Sequence, residues 1–141
     1  MYIQKANIND VVKIEKCGEK SLPIYYNRYH LIDMLQQKNY LILKSSNDIN
    51  LLGFIVVRLD GDNNHILSIG VDPIFRKQKV GTKLIQYIKD LYPEYSITLF
   101  VQQSNKIAIN FYLKNKFAQI DEKLNYYPHL DCKDAYVFKY N

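Results

Sequence analysis

Apolar residues recur along this chain at two different periods, which separate candidate helices from candidate strands. Between Val80 and Leu91 they recur at three- and four-residue intervals, which predicts a helix that begins near Gly81 and ends before Pro93. Over residues 97–101 they alternate with other residues, which predicts a strand. The same two patterns divide the rest of the chain.

Seven strands and four helices are predicted in all. The predicted strands are residues 2–5, 40–44, 51–59, 65–71, 97–101, 118–123 and 135–140. The predicted helices are a first one from an Asn9 cap to Cys17 with Gly18 as its stop, then residues 28–37, then 81–92, and one from a Ser104 or Asn105 cap to about Asn115. Polar turns are expected at 45–50 and 61–64, and a loop that contains Pro23 at 21–27. Strands at both ends with helices between them predict one α/β domain over residues 1–141, with a mixed sheet covered by helices on its faces.

Composition is consistent with one globular core. Hydrophobic residues make up 48% and charged residues 23% of the chain, so we expect no disordered segment. No apolar stretch approaches the ~20 residues of a membrane span, and no signal-peptide core is present, so we expect a cytoplasmic protein without a membrane role. Cys17 and Cys132 match no zinc or redox spacing, so we predict two reduced thiols and no metal.

The net charge of +5 suits binding of an anionic cofactor or work near nucleic acid. No block of basic residues stands out, so we interpret the excess as a solvated basic surface and expect no direct nucleic-acid role. Tyrosines are abundant, 13 in all, and they cluster near residues 25–29 and 126–127. Tyrosine suits a surface that must be apolar and hydrogen-bonding together.

The segment from Val71 to Ile85 is the sharpest chemical signal. A predicted strand ends, a short polar loop follows, and a helix begins at a glycine. Backbone N–H groups at such a junction point toward one position, and the helix dipole adds partial positive charge there, as binding of a pyrophosphate requires. Four basic side chains add full charges for the same anion: Arg76, Lys77, Lys79 and Lys83. The alternative is a plain basic turn, and chemistry alone does not separate the two.

This turn resembles the acetyl-CoA-binding motif of GNAT acetyltransferases, Gln/Arg-x-x-Gly-x-Gly/Ala. Arg76 and Gly81 match the first and last positions, and Lys79 departs from the first glycine. The resemblance implies acetyl-CoA as cofactor and a mostly antiparallel sheet of about seven strands with four helices. It also implies strands that splay after Val71 and Val101 to admit the pantetheine arm. The cofactor would then contact Ile69, Val71, Arg76, Lys77, Gln78, Lys79, Val80, Gly81 and Thr82.

A second block, Val101 to Phe117, is similar to the family's strand, Asn, and Ala-rich helix that carries Tyr. By that resemblance Asn105 contacts the pantetheine arm, and Tyr112 lies near the cofactor sulfur, where its hydroxyl could protonate the leaving thiolate. The alternative for Tyr112 is a core aromatic on an amphipathic helix. Lys116 departs from the glycine that usually precedes Phe117 in the family.

Two further segments resemble the N-terminal acetyltransferases within this family. Asn-Tyr-Tyr at 125–127 followed by Asp134-Ala135 is similar to the ending of bacterial ribosomal-protein alanine acetyltransferases and of the NatE catalytic subunit. There the two tyrosines, Tyr126 and Tyr127 here, bind the backbone of the acceptor peptide. The segment 22–27 is similar to the NatE loop around the acceptor's first side chain. This implies a large apolar first residue, such as Met, against Leu22, Pro23, Ile24 and Tyr26.

The general base is not evident from the motifs. The related enzymes carry Glu or His on the strand before Asn105, where this chain has Phe100. His65 aligns with a catalytic Tyr of the NatE subunit, and an imidazole titrates near neutrality. It is equally interpretable as a polar residue at a strand start. His30 and His129 are poorer candidates, and backbone carbonyls of Ile69 and Val71 could orient the amine without a titrating base.

The sequence therefore predicts direct transfer of acetyl from acetyl-CoA to the α-amine of a protein or peptide. Alternatives are a GNAT enzyme acting on a lysine side chain or small amine, and a non-catalytic acetyl-CoA-binding module. The sequence leaves open whether a ribosome or an auxiliary subunit takes part.

Overall fold

A computed structural model of the chain describes residues 1–141, folded around one seven-stranded sheet. The strands are β1 (Tyr2–Lys5), β2 (Tyr40–Ser46), β3 (Leu51–Asp60), β4 (Asn63–Val71), β5 (Ser96–Gln102), β6 (Ala118–Lys123) and β7 (Ala135–Tyr140). The helices are α1 (Val11–Ser21), α2 (Arg28–Leu35), α3 (Val80–Leu91) and α4 (Lys106–Lys114), with short 3₁₀ turns at Ile8–Asp10 and Pro73–Phe75. The predicted order of elements is confirmed. No helix in the structure is both long enough and apolar enough to cross a bilayer.

The sheet has the order β1-β2-β3-β4-β5-β7-β6, and only the β4–β5 pair is parallel. Helices α3 and α4 lie on one face, over a core that includes Leu84, Ile88 and Phe138. Helices α1 and α2 lie on the other face, over a smaller core that includes Ile14 and Phe54. Burial of both apolar faces by helices is what stabilises a mixed sheet, and the predicted fold class is confirmed.

Strands β4 and β5 pair over only part of their length. The parallel ladder joins Asn63–Ile66 to Ser96–Leu99 and then stops, although both strands continue. The prediction that they splay after Val71 and Val101 is therefore wrong in position, because the divergence begins after Ile66 and Leu99. A bulge against β3 accompanies it, since Val56 pairs with Ser68 but Val57 pairs with Ile66.

Helix α1 differs from its prediction at both ends. Asn9 does not cap it: Asn9 lies within the 3₁₀ turn Ile8–Asp10 that leads into α1, and that turn is capped by Asn7. The Asn7 side chain accepts the backbone N–H of Asn9, and Asp10 accepts that of Asn7. Gly18 does not end the helix, which continues to Ser21. A β-carbon at Gly18 would lie 2.9 Å from Cβ of Tyr25, so this glycine permits close packing of the following loop.

The remaining corrections concern element ends. Helix α2 stops at Leu35, before the predicted Gln37, whereas α4 ends at Lys114, in agreement with the predicted end at about Asn115. Ser45 and Ser46, predicted to begin a turn, belong to β2, and Asn63 and Asn64, predicted to end a turn, belong to β4. Ladder partners extend strands beyond the apolar run, because backbone pairing does not require apolar side chains.

Lys79 and Lys116, which stand where the resemblance implies glycine, adopt the left-handed backbone conformation. Lys79 has φ 60°, and Lys116 has φ 73°. Glycine adopts this region without steric cost, whereas an L side chain does so at about 1–2 kcal/mol. Two lysines therefore occupy backbone positions whose conformation favours glycine.

Candidate active site

A cavity of about 380 Å³ opens where β4 and β5 diverge. Its lining comes from the α1–α2 loop, β4, β5, α4 and the β6–β7 loop. Ten residues predicted for the site line it together: Leu22, Pro23, Ile24, Tyr26, His65, Ile69, Asn105, Tyr112, Tyr126 and Tyr127. Val71, at the end of β4, and residues 76–82, in the segment that follows β4, do not line the cavity.

The cavity joins the two faces of the sheet. Helix α4 packs on the face that carries α3, whereas the α1–α2 loop belongs to the opposite face. Both line the same cavity, so it passes between β4 and β5 where their ladder has ended. Two molecules can therefore meet in the gap, one from each face.

The basic turn after β4 has free backbone donors. No protein group accepts the N–H of any residue from Arg76 to Thr82, whereas Lys83 N–H already donates to the carbonyl of Lys79. Ahead of the turn, the Asp72 side chain accepts the backbone N–H of Ile74 at 3.1 Å. This matches the arrangement that binds a phosphate at a helix N-terminus.

The free edge of β4 adds further backbone groups. Asp72 N–H donates to the carbonyl of Leu52 on β3 at 2.9 Å. Because backbone groups of successive residues point to opposite sides of a strand, those of Ile69 and Val71 point away from β3. They face the gap, where β5 no longer pairs with β4. An extended chain lying in the gap would find these donors and acceptors.

Helix α4 places Asn105 and Tyr112 on the cavity. The Asn105 side-chain oxygen caps the helix by accepting the N–H of Ala108 at 3.1 Å, which leaves its amide nitrogen as a donor. The Tyr112 ring is buried, and burial raises the pKa of its phenol well above the usual range, with Tyr127 adding to the shift. Its hydroxyl has no protein partner and is not sealed from solvent, so it is a protonated donor at neutral pH.

The C-terminus of α4 fixes the Tyr112 ring. Phe117 N–H donates to the Tyr112 carbonyl at 3.0 Å, and Lys116 N–H donates to the Leu113 carbonyl at 3.1 Å. This is the Schellman arrangement, with Lys116 at its left-handed position. The Phe117 ring then packs edge-on against Tyr112, with ring centroids 5.7 Å apart.

His65 lies on β4 just before the divergence and is 6% exposed. Its Nδ1 is 2.7 Å from Thr98 Oγ1, and its Nε2 has no protein partner and is not sealed. Burial lowers the pKa of the imidazole below its ordinary value, and the positive charge of Arg58 lowers it further. A neutral imidazole with a free nitrogen can accept a proton at neutral pH.

Aromatic rings connect His65 to the β6–β7 loop. The Phe100 ring packs edge-on against His65 at 4.7 Å and against Tyr126 at 4.8 Å, measured between centroids. Tyr126 in turn packs against Tyr127 at 4.8 Å. Burial, with a smaller contribution from Tyr126, raises the pKa of Tyr127 to about 12, so it remains a neutral hydrogen-bonding group.

The α1–α2 loop forms an apolar wall of the cavity with Leu22, Pro23 and Ile24. Its two ends are anchored to the fold. Leu22 N–H donates to the Gly18 carbonyl at 2.9 Å, and the Glu15 carboxylate on α1 accepts both the backbone N–H and the guanidinium of Arg28 on α2. The wall is therefore held by bonds on both sides.

Hydrogen bonds hold the β6–β7 loop on both sides of the segment that carries Tyr126 and Tyr127. Asn125 has φ 58°, and its backbone N–H donates to the Asp134 carboxylate at 2.8 Å. Gln102 from β5 donates to the Cys132 carbonyl at 2.8 Å. These bonds present the two tyrosines to the cavity.

Several residues of the site escaped sequence reasoning. Thr98 and Asn63 carry no motif. The parallel pairing of β4 with β5 brings Thr98 beside His65, and Asn63, two residues before His65 on β4, donates to Thr98. Phe100, which offers no base, packs on His65. His129 lines the cavity, whereas His30 lies outside it and packs on Tyr26 with centroids 6.2 Å apart. Both cysteines are free, as predicted.

Comparison with known proteins agrees with this geometry. A sequence profile described as the acetyltransferase (GNAT) family matches residues 9–117. N-alpha-acetyltransferase 50 of Danio rerio is 28% identical over 139 residues, which cover 93% of this chain and 82% of that protein. An N-alpha-acetyltransferase of Sulfurisphaera tokodaii is 29% identical, covering 96% and 89%. The structure of Arabidopsis thaliana Naa50 in complex with the bisubstrate analogue CoA-Ac-MVNAL superposes with a TM-score of 0.84 at 22% identity, covering 99% and 97%, which is a likeness of fold.

Proposed function

This chain belongs to the acetyltransferase (GNAT) family, and we propose that it transfers acetyl from acetyl-CoA to the free α-amino group of a protein N-terminus. It is an acyltransferase by its family. The observation that carries the proposal is the cavity through the sheet, because it joins His65, Tyr112 and the tyrosine pair at one gap. The two relatives named above are N-alpha-acetyltransferases, which supports the same acceptor class.

The residues present fit acetyl-CoA. Seven free backbone N–H groups from Arg76 to Thr82 suit the pyrophosphate, and the unpaired edge of β4 at Ile69 and Val71 suits the amide-containing pantetheine arm. Asn105, the N-cap residue of α4, lines the same cavity. When bound, acetyl-CoA supplies an acetyl group activated as a thioester.

Proton transfer at the site falls to two side chains. An α-amine is largely protonated at pH 7 and must lose a proton before its nitrogen forms the new C–N bond. His65 accepts that proton at Nε2, which is neutral and unpartnered. As the C–S bond breaks, Tyr112 donates its hydroxyl proton to the thiolate. The nitrogen, now bonded to the acetyl carbon, loses its second proton, which restores the Tyr112 hydroxyl through solvent, and His65 releases its proton to solvent. The products are the acetylated amine and free coenzyme A.

The acceptor's first residue is proposed to be large and apolar, such as Met. Leu22, Pro23, Ile24 and Tyr26 line the cavity on the face opposite α4, and burial raises the pKa of Tyr26, which keeps that wall uncharged. Burying a Met side chain against such a wall contributes about 1.5–3 kcal/mol. The relative of known structure named above is bound to an analogue whose peptide begins with Met, which supports the same choice.

The tyrosine pair favours a peptide N-terminus over a lysine side chain. Tyr126 and Tyr127 present two phenol groups at the cavity, and phenols hydrogen-bond peptide carbonyls. In a lysine side chain, four methylene groups separate the amine from the peptide backbone, so no peptide carbonyl lies next to the reacting nitrogen. The pair therefore recognises the residues that follow a terminal amine.

The test uses two peptides that begin Met-Leu and contain one internal lysine, one with a free and one with a blocked N-terminus. We expect acetylation of the free peptide at its α-amine, located by mass spectrometry, and none of the blocked peptide. Equal acetylation of lysine in both would show that the enzyme acts on side chains. Replacing Met by Ser in the free peptide should lower kcat/KM at least about tenfold.

The base is tested with His65→Ala, compared with His30→Ala, which lies outside the cavity. We expect His65→Ala to lower turnover at pH 7 at least tenfold, about 1.4 kcal/mol of barrier, and His30→Ala to leave it unchanged. Unchanged turnover in His65→Ala would remove this residue from the mechanism.

A further inference from the structure

Four polar side chains form a connected row across β4 and β5 beneath the cavity. Ser96 Oγ donates to Asn63 Oδ1 at 2.7 Å, and Asn63 Nδ2 donates to Thr98 Oγ1 at 2.9 Å. Thr98 Oγ1 lies 2.7 Å from Nδ1 of His65. The row therefore ends on the imidazole.

The register of the sheet maintains this row. In the parallel ladder, Asn63 is paired with Ser96 and His65 with Thr98. Each pair faces the same side of the sheet, so the row spans two strands and two rungs. The pair of His65 with Thr98 is followed by only one more pair of the ladder before the gap begins.

We propose that Thr98 is a positioning residue for catalysis: it accepts a hydrogen bond from Nδ1–H of His65 and thereby keeps the lone pair of Nε2 directed to the acceptor amine. The inference rests on the proposed function, in which His65 is the base. Thr98 touches no reacting atom and acts only through the imidazole.

The hydrogen-bonding capacities of the row permit this assignment, provided that the hydroxyl hydrogen of Thr98 points away from Nδ1. A hydroxyl oxygen accepts two hydrogen bonds. Asn63 Nδ2 occupies one acceptor position of Thr98, which leaves the second for Nδ1–H of His65. A neutral imidazole carries one N–H, so a proton on Nδ1 leaves Nε2 as the acceptor. When Nε2 takes up the amine's proton, Nδ1–H keeps the same partner and nothing has to rearrange.

The charges around His65 explain why a neutral partner suits the task. The charges of Arg58 and Asp60 on β3 and of Lys123 on β6 act on the pKa of His65, and no carboxylate hydrogen-bonds to the ring. A carboxylate in place of Thr98 would favour the imidazolium and raise the pKa of His65. The hydroxyl orients the ring without that charge, so the base stays unprotonated and available at neutral pH.

The experiment compares Thr98→Val, which keeps the side-chain shape without the hydroxyl, with Thr98→Ser, which keeps the hydroxyl. Long-range ¹⁵N–¹H NMR spectra of the free protein at pH 8 report which nitrogen of His65 carries hydrogen. We expect the Nδ1–H form in the wild type and in Thr98→Ser, and a shift toward Nε2–H in Thr98→Val. In the same variants we expect kcat to fall at least tenfold for Thr98→Val, with KM for acetyl-CoA unchanged, and activity to recover to within about threefold of wild type in Thr98→Ser.

The outcomes separate this inference from the function on which it rests. An Nε2–H tautomer in the wild type overturns the role of Thr98, whatever the activity of His65→Ala. A large loss in His65→Ala with full activity in Thr98→Val also overturns it and leaves His65 as the base. An unfolded Thr98→Val protein is recognised by its amide spectrum. In that case Thr98→Ala, with the same two measurements, replaces it.

Discussion

The carboxylate of Asp134 accepts the backbone N–H of Asn125 across the β6–β7 loop, at 2.8 Å. Asn125 is left-handed, with φ 58°, a conformation that Asn tolerates better than most residues. The next two residues along the chain are the tyrosines that line the cavity. The Asn-Tyr-Tyr and Asp-Ala ends of the motif are therefore one structural unit, joined by this bond.

Asp134→Ala should weaken binding of the acceptor without weakening that of acetyl-CoA. Loss of the bond frees Asn125 and allows the loop to place Tyr126 and Tyr127 less well. A bond of this kind is worth about 1 kcal/mol, so we expect KM for the peptide to rise about fivefold. Asp131→Ala, an exposed carboxylate of the same loop, is the matched control. A similar rise in both variants would indicate a general charge effect.

Tyr112→Phe should slow turnover without weakening the binding of acetyl-CoA or the stability of the fold. The hydroxyl has no protein partner, so its loss breaks no hydrogen bond, while loss of a general acid costs on the order of 10²-fold in kcat. Calorimetry should give an unchanged Kd for acetyl-CoA. Tyr95→Phe, away from the cavity, should keep full activity. Parallel losses of kcat and cofactor affinity in Tyr112→Phe would instead indicate a packing role.

Lys116→Gly should stabilise the protein. Lys116 occupies the left-handed position after α4 with φ 73°, where glycine is free of steric cost. The gain is partly offset by the greater flexibility of an unfolded chain with glycine, so we expect about 1 kcal/mol in the free energy of unfolding. Urea denaturation measures it. Gln86→Gly, in the middle of α3, should destabilise by about 1 kcal/mol. A destabilised Lys116→Gly would show that the lysine side chain contributes more than its backbone strain costs.

Acid should destabilise the protein partly through His65. Burial lowers the pKa of His65 in the folded state below the roughly 6.5 of an unfolded chain, so the unfolded state binds more protons in the interval between the two values. Stability from this group is complete above about pH 6.5 and is lost as pH falls through the folded pKa. We therefore expect His65→Gln to lose less unfolding free energy than the wild type between pH 7 and pH 5. An equal loss in both would mean that His65 does not couple to folding.

Local rules predicted the elements because their causes are local. The strands Tyr2–Lys5, Ala118–Lys123 and Ala135–Tyr140 have the predicted bounds. Of the two predicted caps of α4, Ser104 and Asn105, the cap is Asn105, because its side chain reaches the N–H of Ala108 three residues later. Gly18 was misjudged, since its reason lies in contact with Tyr25 and not in its own helix.

The sequence by itself determined the order of the strands and helices, the basic turn after β4 and the motifs that mark the family. Periodicity, capping and turn chemistry act over a few residues, so they can be recognised in one dimension. Only the tertiary structure decided where β4 and β5 part, that Thr98 lies beside His65, and that residues from opposite faces meet in one cavity. Strand register joins residues more than thirty positions apart, and it is set by the packing of the whole sheet rather than by any segment of it.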